Sequence, residues 1–205
     1  MRSICLLRRG VLSLAFAAVL PAAPIQWTAA SGGNDNWYEY VSSGGIFNSL
    51  DFATAKAGAA ARTHLGLNGY LATVTSSEEN DFIATSLPFL VGFGGGSGAF
   101  LGASDEAVEG EFRWLGGPEA GDLLSFTDWA AGQPTGLTDA LSLGLNYSSP
   151  PVSYFWMDVA DFNFGYIVEY GDGRIDQQSP VPEPSTLALA VTGFGGLLWW
   201  RRRRA

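Results

Sequence analysis

The sequence predicts an α+β fold, two short helices set among several short strands. Three observations lead to it. With 27 glycines, 10 prolines and only 15% charged residues in 205 positions, the chain is rich in turns and unlike a helical bundle. Two stretches between Leu50 and Leu87 repeat apolar residues at helical spacing behind capping residues. The runs Trp37–Val41, Glu111–Leu115, Phe155–Asp158 and Tyr166–Tyr170 concentrate aromatic and β-branched residues, the composition of strands. A hydrophobic content of 47% is enough for one packed core.

In chain order, Arg2, Arg8 and Arg9 precede the apolar run Val11–Leu20, and small residues follow at Ala22, Ala23, Ala29 and Ala30. This is the pattern of a secretory signal, assigned to residues 1–30 with cleavage after Thr28-Ala29-Ala30 or nearer Ala23. Trp37-Tyr38-Glu39-Tyr40-Val41 reads as a first strand, with Gly44-Gly45 as its turn. The first helix runs through Leu50, Ala53, Ala57, Ala60 and His64, capped by Ser49 or Asp51 and stopped by Gly66. Its alanine face suits close packing on a sheet. Tyr70–Thr75 is a strand. Ser76 to Glu79 forms a capping box that starts a second helix, which buries Phe82, Ile83 and Leu87 and ends before Pro88.

Gly92 to Gly98 reads as a surface loop, since neither the Lys-Ser/Thr of a phosphate loop nor a strand-to-helix context accompanies the glycines. Phe100–Ala103 is a strand paired through the acidic turn Asp105–Gly110 with Glu111–Leu115.

Charge and cysteine content exclude several functions. Between Ser31 and Pro180 four basic residues face nineteen acidic ones, a net charge of −15. Such a surface repels phosphate backbones and anionic headgroups, so nucleic acid is not an expected partner. Cys5 lies in the signal, so the mature protein has no thiol, and His64 is the sole histidine. Thiolate catalysis, disulfides and cysteine or multi-histidine metal sites are thereby excluded. No nucleophile, base and orienting acid stand at informative spacing, and the protein is not expected to be an enzyme.

The order of features resembles the C-type lectin-like domain. The matching pieces are Phe52-Ala53-Thr54-Ala55, Gly69 to Val74 leading into Ser77-Glu78-Glu79-Asn80, Phe100-Leu101-Gly102-Ala103 and Phe112-Arg113-Trp114. Thr127-Asp128-Trp129 before Gln133-Pro134, then Trp156-Met157-Asp158 and Tyr166 to Tyr170, complete the series. The resemblance implies two helices, small antiparallel sheets and a long ligand loop over residues 31–171. The cysteines that pin many members are missing, so Trp114, Trp129, Trp156, Phe100 and the alanine helix must hold this domain by packing.

The resemblance also implies the site. In sugar-binding members the proline loop and the Trp-Asn-Asp strand hold one Ca²⁺ that chelates sugar hydroxyls. Carried over, Gln133, Pro134, Thr135 and Trp156 become ligand-binding candidates, with Pro134 in the cis form, and Asp139 and Asp158 become metal candidates. Calcium takes about 6 to 8 oxygens, preferably from several carboxylates, and Met157 in place of asparagine supplies none. Calcium is thus a candidate cofactor whose usual site is not expected to be retained. An exposed tryptophan or tyrosine, with Tyr147, Tyr154 and Phe155 nearby, is the calcium-free route to a sugar ring.

After a polar linker over 172–181, Pro182-Glu183-Pro184 precedes the apolar run Leu187–Trp200 and Arg201 to Arg204. This resembles the PEP-CTERM sorting signal of exported bacterial proteins, assigned to residues 182–205. The resemblance implies transient inner-membrane anchoring, exosortase cleavage near Pro182-Glu183-Pro184, and delivery to the cell surface or exopolysaccharide matrix. As a helix, Leu187–Trp200 would span roughly 21 Å, short of the ~30 Å hydrocarbon core.

The combined expectation is an exported, non-catalytic carbohydrate-binding module with a polysaccharide or glycan partner. The alternative is a protein-binding or structural matrix domain without a sugar site.

Overall fold

The computed structural model describes residues 23–45, 48–89, 96–146, 153–160 and 163–171. The signal before Ala23, Tyr147, the linker, and the sorting tail with Pro182, Glu183 and Pro184 lie outside these residues.

The strands are β1 (Ile25–Gln26), β2 (Trp37–Ser42), β3 (Thr63–His64), β4 (Leu67–Leu71), β5 (Gly96–Ser104), β6 (Arg113–Trp114), β7 (Ala140–Asn146), β8 (Ser153–Val159) and β9 (Gly165–Tyr170). The helices are α1 (Phe52–Ala60) and α2 (Ser77–Ser86). All six residues of β9 are buried, which identifies it as the central strand. One edge pairs with β2 from Trp37↔Tyr170 to Ser42↔Gly165, and the other meets β4 and, at Phe100↔Tyr166, β5. The sheet then continues as β5-β7-β8. Close approach of β4 and β5 requires Gly102, because a Cβ there would lie 2.4 Å from the Leu71 carbonyl oxygen.

Several expected elements differ in extent. Helix α1 ends at Ala60 rather than near Gly66, because Leu65 and Gly66, both at positive φ, turn the chain so that His64 pairs with Leu67 in a small hairpin. His64 then packs against the Trp37 and Tyr170 rings, at centroid distances of 4.6 and 5.6 Å. In the expected capping box Ser76 does accept from the Glu79 N–H, but Glu79 reaches back to the N–H of Thr75, not of Ser76. Gly96 and Ser97, expected in the glycine loop, begin β5. Strand β7 carries alternating leucines, Leu141 and Leu143 inward, and was not anticipated from the sequence.

Two apolar clusters fill the fold. Ala55 and Ala59 of α1 pack with Phe100, Val168 and Tyr170. The larger cluster gathers Trp114, Trp156, Leu101, Leu141, Ile83 and Ile167, and it also contains Trp27 at 8% exposure. Trp27 N–H donates to Asn36 O, Asp35 N–H donates to Trp27 O, and the Trp27 ring stacks on Phe82 at 5.7 Å. Trp27 is therefore a core residue, although residues up to Ala30 read as signal.

Candidate functional site

The segment 115–139 between β6 and β7 is stitched to β8. Trp156 N–H donates to Asp128 O at 2.7 Å, and Ala130 N–H donates to Trp156 O at 2.9 Å. Side chains continue the ladder. The Asp158 N–H donates to Gln133 Oε1 at 3.1 Å, and Gln133–Pro134 is a cis peptide. Asp158 Oδ2 accepts from Thr135 N–H at 2.8 Å, Thr135 O–H at 2.6 Å and Gly136 N–H at 3.0 Å. Burial pushes the Asp158 carboxyl up, but the bonds from Thr135, Gly136 and Leu137 outweigh it and hold the group below the ordinary range. The other oxygen, Oδ1, is buried with no partner.

Alternation along β8 turns Trp156 and Asp158 inward and sends Met157 to the opposite face, against Gly144. Trp156 is fully buried and donates its indole N–H to Asn80 Oδ1 at 2.9 Å. It is the hub of an aromatic cluster, with Phe126 at 5.4 Å, Trp129 at 6.0 Å and Trp114 at 6.3 Å, and offers no face to a ligand. The sequence placed Trp156 among ligand-contacting residues; burial makes it a core residue. Trp129, only partly buried, reaches the surface instead. With exposed Pro134, Leu123, Leu124, Thr127, Phe112 and Gly110 it lines an apolar recess of about 330 Å³. Tyr154 donates its O–H to Asp81 on α2.

Asp139 is exposed and lines a different cleft, of about 440 Å³, with Glu106, Ser104, Thr138 and Phe52. Hydrogen bonds join Gln133, Thr135 and Asp158, whereas Asp139 lines the other cleft. Among the described residues no group of three or more His, Cys, Asp or Glu is placed to hold a metal ion. The donors at Asp158 do not fit calcium. Besides Asp158, Glu109 stands near this turn, 2.9 Å from where a Gly136 Cβ would lie, and three donor hydrogens converge on Asp158 Oδ2, an arrangement that opposes a cation.

Sequence reasoning missed a second polar constellation beside α2. Glu169 Oε1 accepts from Asn36 Nδ2 at 2.6 Å and Tyr38 O–H at 3.3 Å, while its Oε2 accepts from Thr73 N–H and O–H, both at 3.0 Å. Tyr38 O–H also donates to Glu79 Oε1 at 2.5 Å. Burial, then the charge of Glu79, pushes the Glu169 carboxyl up to about 8, and burial raises Glu79 too. Tyr38 and Glu169 are register partners across β2 and β9, and nothing local in the sequence joined Tyr38 to Glu79 or Glu169.

Comparison with known proteins places this geometry in context. A model of the PEP-CTERM protein-sorting motif matches residues 180–204. Halomucin of Haloquadratum walsbyi is 34% identical over 179 residues, taking in 78% of this chain and 2% of halomucin. An alpha-N-acetylgalactosamine-specific lectin of Patiria pectinifera is 32% identical over 114 residues, 56% of this chain and 60% of the lectin. The chain thus spans less than two thirds of the length of either relative. Among solved structures, the EPNH mutant of CEL-I, a C-type lectin from Cucumaria echinata, matches with a TM-score of 0.50 at 18% identity, covering 75% of this chain and 99% of that one. The fold is C-type lectin-like and lacks an internal disulfide, Cys5 being the only cysteine, and the C-terminal segment carries the PEP-CTERM sorting motif.

Proposed function

We propose that this chain is an exported, non-catalytic lectin-like module that binds carbohydrate on the face of its long loop. The observation that supports this most is the recess beside the Gln133–Pro134–Thr135 turn, where exposed Pro134 and part of the Trp129 ring form an apolar wall. Saccharide rings present apolar C–H faces that suit such a wall, and binding sites combine an apolar lining with a few fixed polar groups. Thr127 supplies a hydroxyl to the lining, and Gln133 and Thr135 flank Pro134 in the chain. The net charge of −15 between Ser31 and Pro180 favours neutral over polyanionic glycans.

The sorting motif supports a destination at the cell surface or in the extracellular matrix, with exosortase processing near Pro182-Glu183-Pro184 after transient anchoring. Among the described residues no helix is long and apolar enough to cross a membrane. The sole histidine, His64, packs between aromatic rings on β2 and β9, which supports a non-catalytic role.

A glycan screen of the exported domain, run with calcium and with chelator, tests the reading. Saturable binding to a neutral saccharide is expected, and a blank screen under both conditions overturns it. A second reading, protein binding without a sugar site, is favoured by the exposure of Leu137 (84%), Leu123 (51%) and Val108 (50%) around the same loop. A protein partner whose binding is abolished by Leu137→Ser, together with a blank glycan screen, would establish it.

A further inference from the structure

We infer that the long loop is organised by a hydrogen-bonded clamp on Asp158 in place of a metal ion, and that its structure is independent of calcium. The clamp is reciprocal. Asp158 gives its N–H to Gln133 Oε1 and takes three bonds on Oδ2 from Thr135 and Gly136, so both sides of cis Pro134 are tied to one residue of β8. Thr135 contributes most, because it supplies both its N–H and its O–H. Gly136, at φ +65, turns the chain so that its N–H also faces the carboxylate.

A carboxylate receiving several short donors is a strong anchor, since bonds to an ionised acceptor are roughly twice as strong as neutral ones. The same donors close the position to a cation. Calcium at Oδ2 would face the hydrogens of two amides and a hydroxyl, and only Oδ1 remains unpartnered, against a need for about 6 to 8 oxygens. Of the other carboxylates, Asp139 opens into another cleft, and Glu109, beside Gly136, adds at most two oxygens, still short of that number. Loop order here rests on side-chain chemistry that Thr135 and Asp158 provide between them. This inference does not depend on the carbohydrate reading, because it concerns the stability of the loop.

Amide hydrogen exchange and thermal melting of the folded chain, in calcium chloride and in EGTA, test it. The Thr135, Gly136 and Asp158 amides are expected to be equally protected in both, and the melting midpoint to be the same. In Thr135→Val these amides lose protection and the midpoint falls by the same amount with and without calcium. Calcium bound at about a hundred times its Kd would instead raise the wild-type midpoint by roughly 5 to 10 °C. A rise of that kind that disappears in Asp158→Asn, or loop amides protected only in calcium, overturns the inference. A calcium shift that survives Asp158→Asn places the ion elsewhere and leaves the clamp metal-free.

Discussion

Asn80 on α2 accepts the indole N–H of Trp156 on β8 at 2.9 Å and donates its own amide to Asp128 Oδ2 at 3.0 Å, so one side chain joins helix, sheet and long loop. Asn80 is 2% exposed and Trp156 fully buried, so both bonds are shielded from bulk solvent. Replacing Asn80 by alanine strands a buried indole donor and removes a bond to Asp128, at a cost of about 2 to 4 kcal/mol. Urea unfolding of Asn80→Ala measures it; a change below about 0.5 kcal/mol would show that the two bonds contribute little.

The Glu169 and Glu79 pair makes stability depend on pH. With its carboxyl raised from 4.5 to about 8 in the folded state, Glu169 keeps its proton on folding while the unfolded chain releases it. The folded state then binds more protons, so stability is fully present below the unfolded value, declines as pH rises, and levels off above about 8. Urea midpoints should be higher at pH 5.5 than at pH 8.5, roughly bracketing this window. Glu169→Gln should flatten the slope; an unchanged slope in that variant assigns the effect elsewhere.

Asp158 works in the opposite direction. Its carboxyl is held below the ordinary range, so its contribution is present above the unfolded value of 3.8 and is lost as pH falls through the lower folded value. Acid titration followed by tryptophan fluorescence should show a step in this range that is missing in Asp158→Asn, because Trp156 and Trp129 lie beside the clamp. A step that persists in the variant would sink the assignment.

The burial of Trp27 bears on where the domain begins. Cleavage after Ala30 would remove a residue that stacks on Phe82 and pairs with Asn36 and Asp35. We propose that the mature chain starts ahead of Ile25, and amino-terminal sequencing of the exported protein checks it. Trp27→Ala should cost about 3 to 5 kcal/mol, as for other large aromatic truncations in a core. A domain starting at Ser31 that melts like one starting at Pro24 would refute this boundary.

A change at Leu123 would separate the proposed glycan binding from folding. At 51% exposure its replacement by serine should change stability by no more than about 0.5 kcal/mol. Because it lines the recess beside Trp129 and Pro134, the same change should weaken glycan binding about threefold to tenfold, or roughly 0.6 to 1.4 kcal/mol. Unchanged affinity in isothermal titration would move the glycan off this recess.

Much of the architecture is legible in the chain because its signals are local. Asp51 and Ser76 accept the helix N–H groups their positions promise, and α2 stops before Pro88. Aromatic runs become β2, β6, β8 and β9, and the order of these motifs was enough to indicate a C-type lectin-like fold. The alanines of α1 disclose its close contact with the sheet, since small side chains permit it wherever the helix docks. The composition likewise shows that no disulfide braces the domain.

What the chain alone did not decide is which way side chains at the loop face, because that depends on partners far away in sequence. Trp156 and Asp158 are two positions apart and both turn inward, yet one is consumed by packing against Asn80 while the other reaches Thr135, 23 residues earlier. The bonds that Asp158 accepts from Thr135 and Gly136 depend on the approach of those donors, a product of loop and strand meeting. The Glu79, Glu169 and Tyr38 cluster and the burial of Trp27 likewise exist only once α2, β2 and β9 are assembled. Short-range periodicity, caps and turns are written in neighbouring residues, whereas burial and hydrogen-bond satisfaction are properties of the folded chain as a whole.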